Sequence, residues 1–127
     1  MDLPDKSITK GALEAEISRA LTQWEKNFLG RGPLSVKTDI IRNMIIVILR
    51  GTLTPAEYAL ANEKEGAMFI KGSRNALVES GREGLGEIIK DLTDDEVVSF
   101  FTDLSTKTGE RIMVFKVSSD LEKRLMS

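Results

Sequence analysis

The sequence predicts an α+β fold in the order helix, hairpin, one or two helices, hairpin. In this αββ-α(α)-ββ arrangement a four-stranded antiparallel sheet packs on helices. Three observations carry that reading. Apolar residues recur at helical steps from Thr9 to Leu29. Two pairs of short apolar runs are each joined by turn residues. The stretch "GTLTPAEY" holds a complete set of helix-start signals. The order is a circular permutation of the βαββαβ ferredoxin-like arrangement. At 127 residues the chain reads as a single domain, 1–127, with a loose arm over 1–8 and a tail over 118–127 that takes at most a short helical turn.

The first helix is read from Leu13, Ile17, Leu21, Trp24 and Phe28, spaced four, four, three and four apart on one stripe. Glu14, Glu16, Arg19, Glu25 and Lys26 fall largely off it. Gly30 closes the helix as a left-handed residue, and Pro33 cannot continue it. Leu34–Ile41 reads as a strand with Leu34, Val36, Thr38 and Ile40 on one face. Arg42-Asn43 turns the chain, and Met44–Arg50 returns it. Thr54 is an N-cap, Pro55 stands at the first helical position, and Glu57 completes a capping box, with Leu53 placed to staple onto Tyr58. That helix breaks near Gly66. A longer one runs from about Ala67 to Asp91, with Phe69, Leu77, Val78, Leu85, Ile88, Ile89 and Leu92 on its apolar side. Gly72, Gly81, Gly84 and Gly86 inside it point to close packing or a kink. Val97–Leu104 and Arg111–Val117 form the second hairpin, with Gly109 at positive φ.

The inner strands do not alternate. Met44, Ile46 and Ile48 oppose Ile45, Val47 and Leu49, and the later strands follow suit with Val98 and Phe100 against Val97 and Phe101. Helices on one face leave the other apolar, so a homodimer through sheet faces or edges is expected. The alternative is that the later helices divide and cover both faces.

Composition narrows the function. The chain has no cysteine and no histidine, so thiol nucleophiles, the common general base and the usual zinc ligands are missing. No apolar run approaches the length of a membrane span; the longest is Met44–Leu49. The N-terminal stretch lacks the apolar core of a signal peptide, and a cytoplasmic location is expected. Net charge is −2. The one basic stretch, 31–51, spreads Arg31, Lys37, Arg42 and Arg50 around Asp39, a weak footprint for a nucleic-acid binder.

Four sets of residues are candidate sites. At Gly30-Arg31-Gly32-Pro33 backbone amides plus Arg31 would hold an anion or a partner's carboxylate, but the glycines are needed simply to turn the corner. Gly81-Arg82-Glu83-Gly84 has the spacing of an RNA-clamping loop, yet Glu83 opposes phosphate and the flanks are helical. Asp94-Asp95-Glu96 would suit a hard cation, though solvated loop acids explain it as well. Asp103, Ser105 and Glu110, with Thr106 and Thr108, cluster at the last hairpin, where such residues bond turn backbone or meet a partner. Trp24 and Tyr58 read as packing residues.

Taken together, "GRGP" (Gly30–Pro33), "IIVILRGTLTPAE" (Ile45–Glu57), the helix with Gly66 and Arg74, and "TDLSTKTGERIMVF" (Thr102–Phe115) resemble the MpsC-like family over about Lys10–Val117. The resemblance implies a bacterial protein associated with a sodium-translocating, membrane-potential-generating system, and supplies no catalytic residue. The expected function is a small non-enzymatic interaction or regulatory protein without cofactor or metal. It would be a homodimer, accessory to a membrane transport or bioenergetic protein, with Gly30, Arg31, Gly32, Asp103, Ser105 and Glu110 as contact points. The alternatives are a small-anion or nucleotide-binding module at the Gly30–Pro33 corner and, more weakly, a nucleic-acid-binding domain.

Overall fold

A computed structural model describes residues 8–126; of the expected N-terminal arm all but Ile8 lies outside them. The elements are α1 (Lys10–Trp24), a π-helical turn (Glu25–Leu29), β1 (Ser35–Ile41), β2 (Met44–Arg50), α2 (Pro55–Leu60), α3 (Lys64–Ser80), α4 (Arg82–Thr93), β3 (Val97–Leu104), β4 (Arg111–Val117) and α5 (Leu121–Met126). The sheet order is β1-β2-β4-β3 with every pair antiparallel. β2 and β3 therefore run parallel with β4 between them, the split βαβ unit that the permuted ferredoxin order demands.

Register decides which residues face the helices. Val36, Thr38 and Ile40 pair with Leu49, Val47 and Ile45, and these with Arg111, Met113 and Phe115. This is the inner face. Its apolar members join Leu13, Ile17, Leu21 and Trp24 of α1, Val78 of α3, Leu85 and Ile89 of α4, and Leu121 of α5 in one core. A smaller cluster of Leu53, Ile70 and Leu104 closes the end beneath α2 and α3. The segment expected as a tail thus folds as α5, with Leu121 fully buried.

Several expectations are corrected by local geometry. The first helix ends in a π turn, which holds more residues per turn than an α-helix and rotates the side chains beyond Trp24. Glu25, expected off the stripe, is only 3% exposed, while Phe28 is 46% exposed and stacks on Trp24 at 4.9 Å. A bulge at Val97–Ser99 inserts one residue into β3. Val97 and Phe100 consequently face the core, and Val98 and Phe101 face away. Leu34 lies before β1 rather than in it and is exposed, resting against Gly51, whose missing Cβ leaves room for it. The long helix starts at Lys64 and breaks at Gly81. Its buried positions are Gly66, Ile70 and Val78, so Phe69 and Leu77 are exposed instead. Leu53 packs with Ile70 and Leu104, and the Tyr58 hydroxyl donates to Thr108 O at 3.2 Å.

Gly81 breaks the helix because α1 passes so close: a Cβ there would sit 2.6 Å from Trp24 Cζ2 and 3.1 Å from the Phe28 ring. Gly72 faces open space. Gly81→Ala is therefore expected to lower unfolding stability by about 1–3 kcal/mol through overpacking. Gly72→Ala should raise it by up to about 1 kcal/mol through helix propensity. Urea titrations of the two variants check this, and equal effects would contradict the packing assignment.

Candidate functional site

The outer face of the sheet is left uncovered by α1, α4 and α5. Across β1, β2, β4 and β3, one row reads Lys37, Ile48, Ile112, Asp103. The next reads Asp39, Ile46, Val114, Phe101, and a third Ile41, Met44, Lys116, Ser99. None of the apolar members of these rows, nor Val98, belongs to either core cluster. Phe101 is 57% exposed and Val98 60%. The helices α1, α4 and α5 pack on the opposite face, so the alternative in which later helices cover both faces does not hold.

One end of this sheet gathers the residues singled out in the sequence. Leu34 N donates to Arg50 O (2.8 Å), placing the Gly30–Pro33 corner where β2 ends. Arg50 Nε pairs with Glu110 at 2.9 Å, and Thr52 Oγ1 donates to Gly109 O at 2.8 Å, placing the β3–β4 hairpin at the same end. Gly30 adopts φ 93°, and its N–H is spent on Lys26 O (3.1 Å), as a helix terminus requires. That amide is unavailable to an anion, and the helix end directs carbonyl oxygens toward the corner. Arg31 is exposed. The side chain of Lys26 lies against Gly32, where an added Cβ would fall 2.9 Å from Lys26 Cγ.

Within the hairpin Asp103, Ser105 and Glu110 diverge. Asp103 accepts from Leu104 N (2.8 Å) and Asn75 Nδ2 (3.1 Å) and meets Lys71 at 3.4 Å; these bonds hold its carboxyl below the usual range. Ser105 shapes the turn, donating its N–H to Glu110 O and accepting from Gly109 N. Glu110 is committed to Arg50. Gly109, at φ 75°, lies under the Tyr58 hydroxyl, so α2 clamps the hairpin from above. Beside it an open groove of about 560 Å³ runs between Lys71, Asp103, Ser105, Lys107 and the outer-face residues Ile48 and Ile112.

The other motifs are structural. Asp95 is buried and takes hydrogen bonds from Ser118, Ser119 and Arg124, tying α5 to the end of α4. Asp94 is the left-handed cap of α4, and Glu96 pairs with Lys90. Among the described residues no group of acids is placed to hold a metal. Gly81 is buried against Trp24, and Gly84, though exposed, lies on the helix beside it.

A buried charge cluster escaped the sequence reading. Arg111, 2% exposed, sits on the inner face at the start of β4 and donates to Asn75 Oδ1 (3.0 Å) and Thr102 Oγ1 (2.9 Å). Burial lowers its pKa, partly offset by Glu25. Burial pushes the Glu25 carboxyl up, against the pull of Arg111, Arg74 and Arg31, and its Oε2 has no hydrogen-bond partner. Arg74 reaches from α3 to Glu57 with Nε at 2.9 Å and a second nitrogen at 2.6 Å, a bidentate pair. A signal was available. Arg111 falls in phase with Met113 and Phe115, and Arg74 with Ile70 and Val78. An ionic residue in a core phase announces a buried pair.

Comparison with known proteins gives a consistent result. The family described as "Na+-translocating membrane potential-generating system (MpsC)" matches residues 9–119. The uncharacterised protein YbcI of Bacillus subtilis (strain 168) is 61% identical over 117 residues, 92% of this chain and 94% of that protein. The uncharacterised protein YrhF of the same strain is 22% identical over 110 residues, 86% and 90% of the two chains. No solved structure matches.

The Glu57–Arg74 pair has a measurable signature. Arg74 and the capping backbone hold the Glu57 carboxyl down, to about 2 from 4.5. A lowered folded-state value stabilises the fold above 4.5, and that contribution disappears as pH falls toward 2. Between those limits the stability of Arg74→Met should fall less steeply with acid than that of wild type, read by thermal unfolding at stepped pH. Parallel curves would show that the pair contributes nothing.

Proposed function

The chain belongs to the MpsC family, and from that membership we propose that it is a non-enzymatic interaction protein, a homodimer in the cytoplasm, accessory to a membrane cation-translocating system. The observation that carries this reading is the apolar outer face of the sheet, backed by a core and left open by α1, α4 and α5. A soluble monomer rarely exposes a contiguous surface of this kind, and a second copy removes it from water. Among the described residues no helix is long and apolar enough to cross a membrane. Contact with a membrane system is therefore assigned to the surface, and specifically to the loop end that carries Arg31 and the Asp103–Glu110 hairpin. That end is rigid: the Arg50–Glu110 pair and the Tyr58 clamp hold the hairpin in place.

A second reading takes the same corner as a small-anion or nucleotide site, because Lys26 is folded against Gly32 beside Arg31. Inorganic phosphate raising the melting temperature of wild type, and not of Arg31→Ala, would favour it.

Two measurements test the main reading. Light scattering should give a dimer for wild type and a monomer for Val114→Asp, which places a charge at the centre of the outer face without touching the core. Affinity capture from solubilised membranes should then retain a cation-transport subunit on wild type and lose it on Arg31→Ala, with dimerisation unchanged. A wild-type monomer, or equal retention by both proteins, would overturn the corresponding half of the proposal.

A further inference from the structure

The outer face carries information about how a second copy sits on it, because its charges are unevenly satisfied. Asp103 is held by Lys71 and Asn75, and Glu110 by Arg50. Among the described residues Lys37, Asp39 and Lys116 have no ion-pair or side-chain hydrogen-bond partner. All three project from the outer face, Lys37 and Asp39 two residues apart on the edge strand β1 and Lys116 on the central strand β4. Covering the face removes water from them, and a charge buried without a partner is costly. The two-fold axis that sets the fewest of the three against apolar side chains is therefore favoured.

Two orientations of a face-to-face dimer are available. An axis parallel to the strands, between β2 and β4, lays β1 over the partner's β3. It brings Lys37 to the already occupied Asp103 of the partner subunit. It also sets Asp39 on Phe101 and Lys116 on Met44, leaving two charges buried against apolar side chains. An axis across the strands, passing between the Lys37 row and the Asp39 row, lays each strand over its own copy running the other way. Lys37 then meets Asp39 of the partner subunit and Asp39 meets Lys37, while Lys116 meets Glu110, which precedes β4 and already pairs with Arg50. Ile46 packs on Ile48, Val114 on Ile112 and Phe101 on Asp103, which keeps its own Lys71 and Asn75. A crosswise axis through a row, rather than between rows, stacks Lys37 on Lys37, Asp39 on Asp39 or Lys116 on Lys116. Lysine side chains are long enough to bridge sheets about 10 Å apart.

We infer that the protein dimerises about a two-fold axis running across its strands between the Lys37 and Asp39 rows, with reciprocal Lys37–Asp39 ion pairs along the β1 edge. This rests on the dimer proposed above and specifies its geometry. The test is a charge swap followed by sedimentation equilibrium. Lys37→Glu and Asp39→Lys alone should each weaken the dimer by about ten-fold or more, through like-charge contact in a desolvated interface. The double variant Lys37→Glu/Asp39→Lys should return to within about three-fold of wild type. All these positions lie on the solvent side of the sheet, and unchanged thermal unfolding at concentrations below dimerisation confirms that the monomers remain folded. Failure of the double variant to recover overturns the axis. Recovery by Lys37→Glu/Asp103→Lys instead would establish the lengthwise one. A wild type that is monomeric throughout would remove the dimer itself, a different result from a dimer in the wrong register.

Discussion

Two central strands that are apolar on both faces, set in a chain with helices enough to cover only one, define this molecule. The helical layer is committed to the inner face by residues with no other place to go: Leu13, Ile17 and Leu21 from α1 and Leu85 and Ile89 from α4 are all but fully buried. At roughly 25 cal/mol per Å² of apolar surface, that layer is the main stabilising contribution of the fold. Moving a helix to the other face would forfeit it. The edges are managed separately. Glu14 Oε2 accepts from Ile40 N (2.8 Å) on β1, and α3 packs against β3, so each edge is met by a helix at one point along its length.

The rigidity of the loop end follows from a chain of contacts that starts in a capping box. Thr54 and Glu57 bond reciprocally and start α2 where β2 has just ended. Glu57 is also the carboxylate that Arg74 grips, so one side chain both caps α2 and joins it to α3. Fixing α2 places Tyr58 over Gly109, and fixing α3 places Asn75 against Arg111 and Asp103. The hairpin is therefore held from two helices at once. A contact surface held this way keeps its shape before a partner arrives, which lowers the ordering entropy that binding must overcome.

Much of this was legible in the sequence, for identifiable reasons. The capping box, the left-handed Gly30 and Gly109, the strand pairs and their two-sided apolar character are local signals, and each appears where its chemistry required. What the sequence hid were shifts of phase. A π turn after Trp24 and a bulge at Val98 each displace the repeat by one residue, and neither has a marker residue of its own. The first reversed the expected exposure of Glu25 and Phe28, and the second separated Val98 from Phe100, with which it was expected to share a face. Gly81 announced close packing but not its partner, because Trp24 and Phe28 lie more than fifty positions away in the chain. Arg74 and Arg111 were overlooked for another reason: their positions in the core phase were visible, but no buried role was drawn from them.

The candidate site divides along the same line. Asp103, Ser105 and Glu110 were grouped by sequence proximity, but the hairpin sends them to Lys71 and Asn75, to the turn backbone and to Arg50. Their shared property is position at one end of the sheet, together with the Gly30–Pro33 corner. A two-fold axis across the strands gives that position a consequence. Because each strand then runs opposite to its copy, the two loop ends point away from each other, separated by the length of the stacked sheets. A single small subunit could not engage both. The dimer would bring two partner subunits together, or tether one at either end, and Arg31 would act twice per assembly through separate surfaces. An axis along the strands would instead place both corners side by side as one bivalent patch. The three unpaired charges Lys37, Asp39 and Lys116 would thus select between these two arrangements of the loop ends.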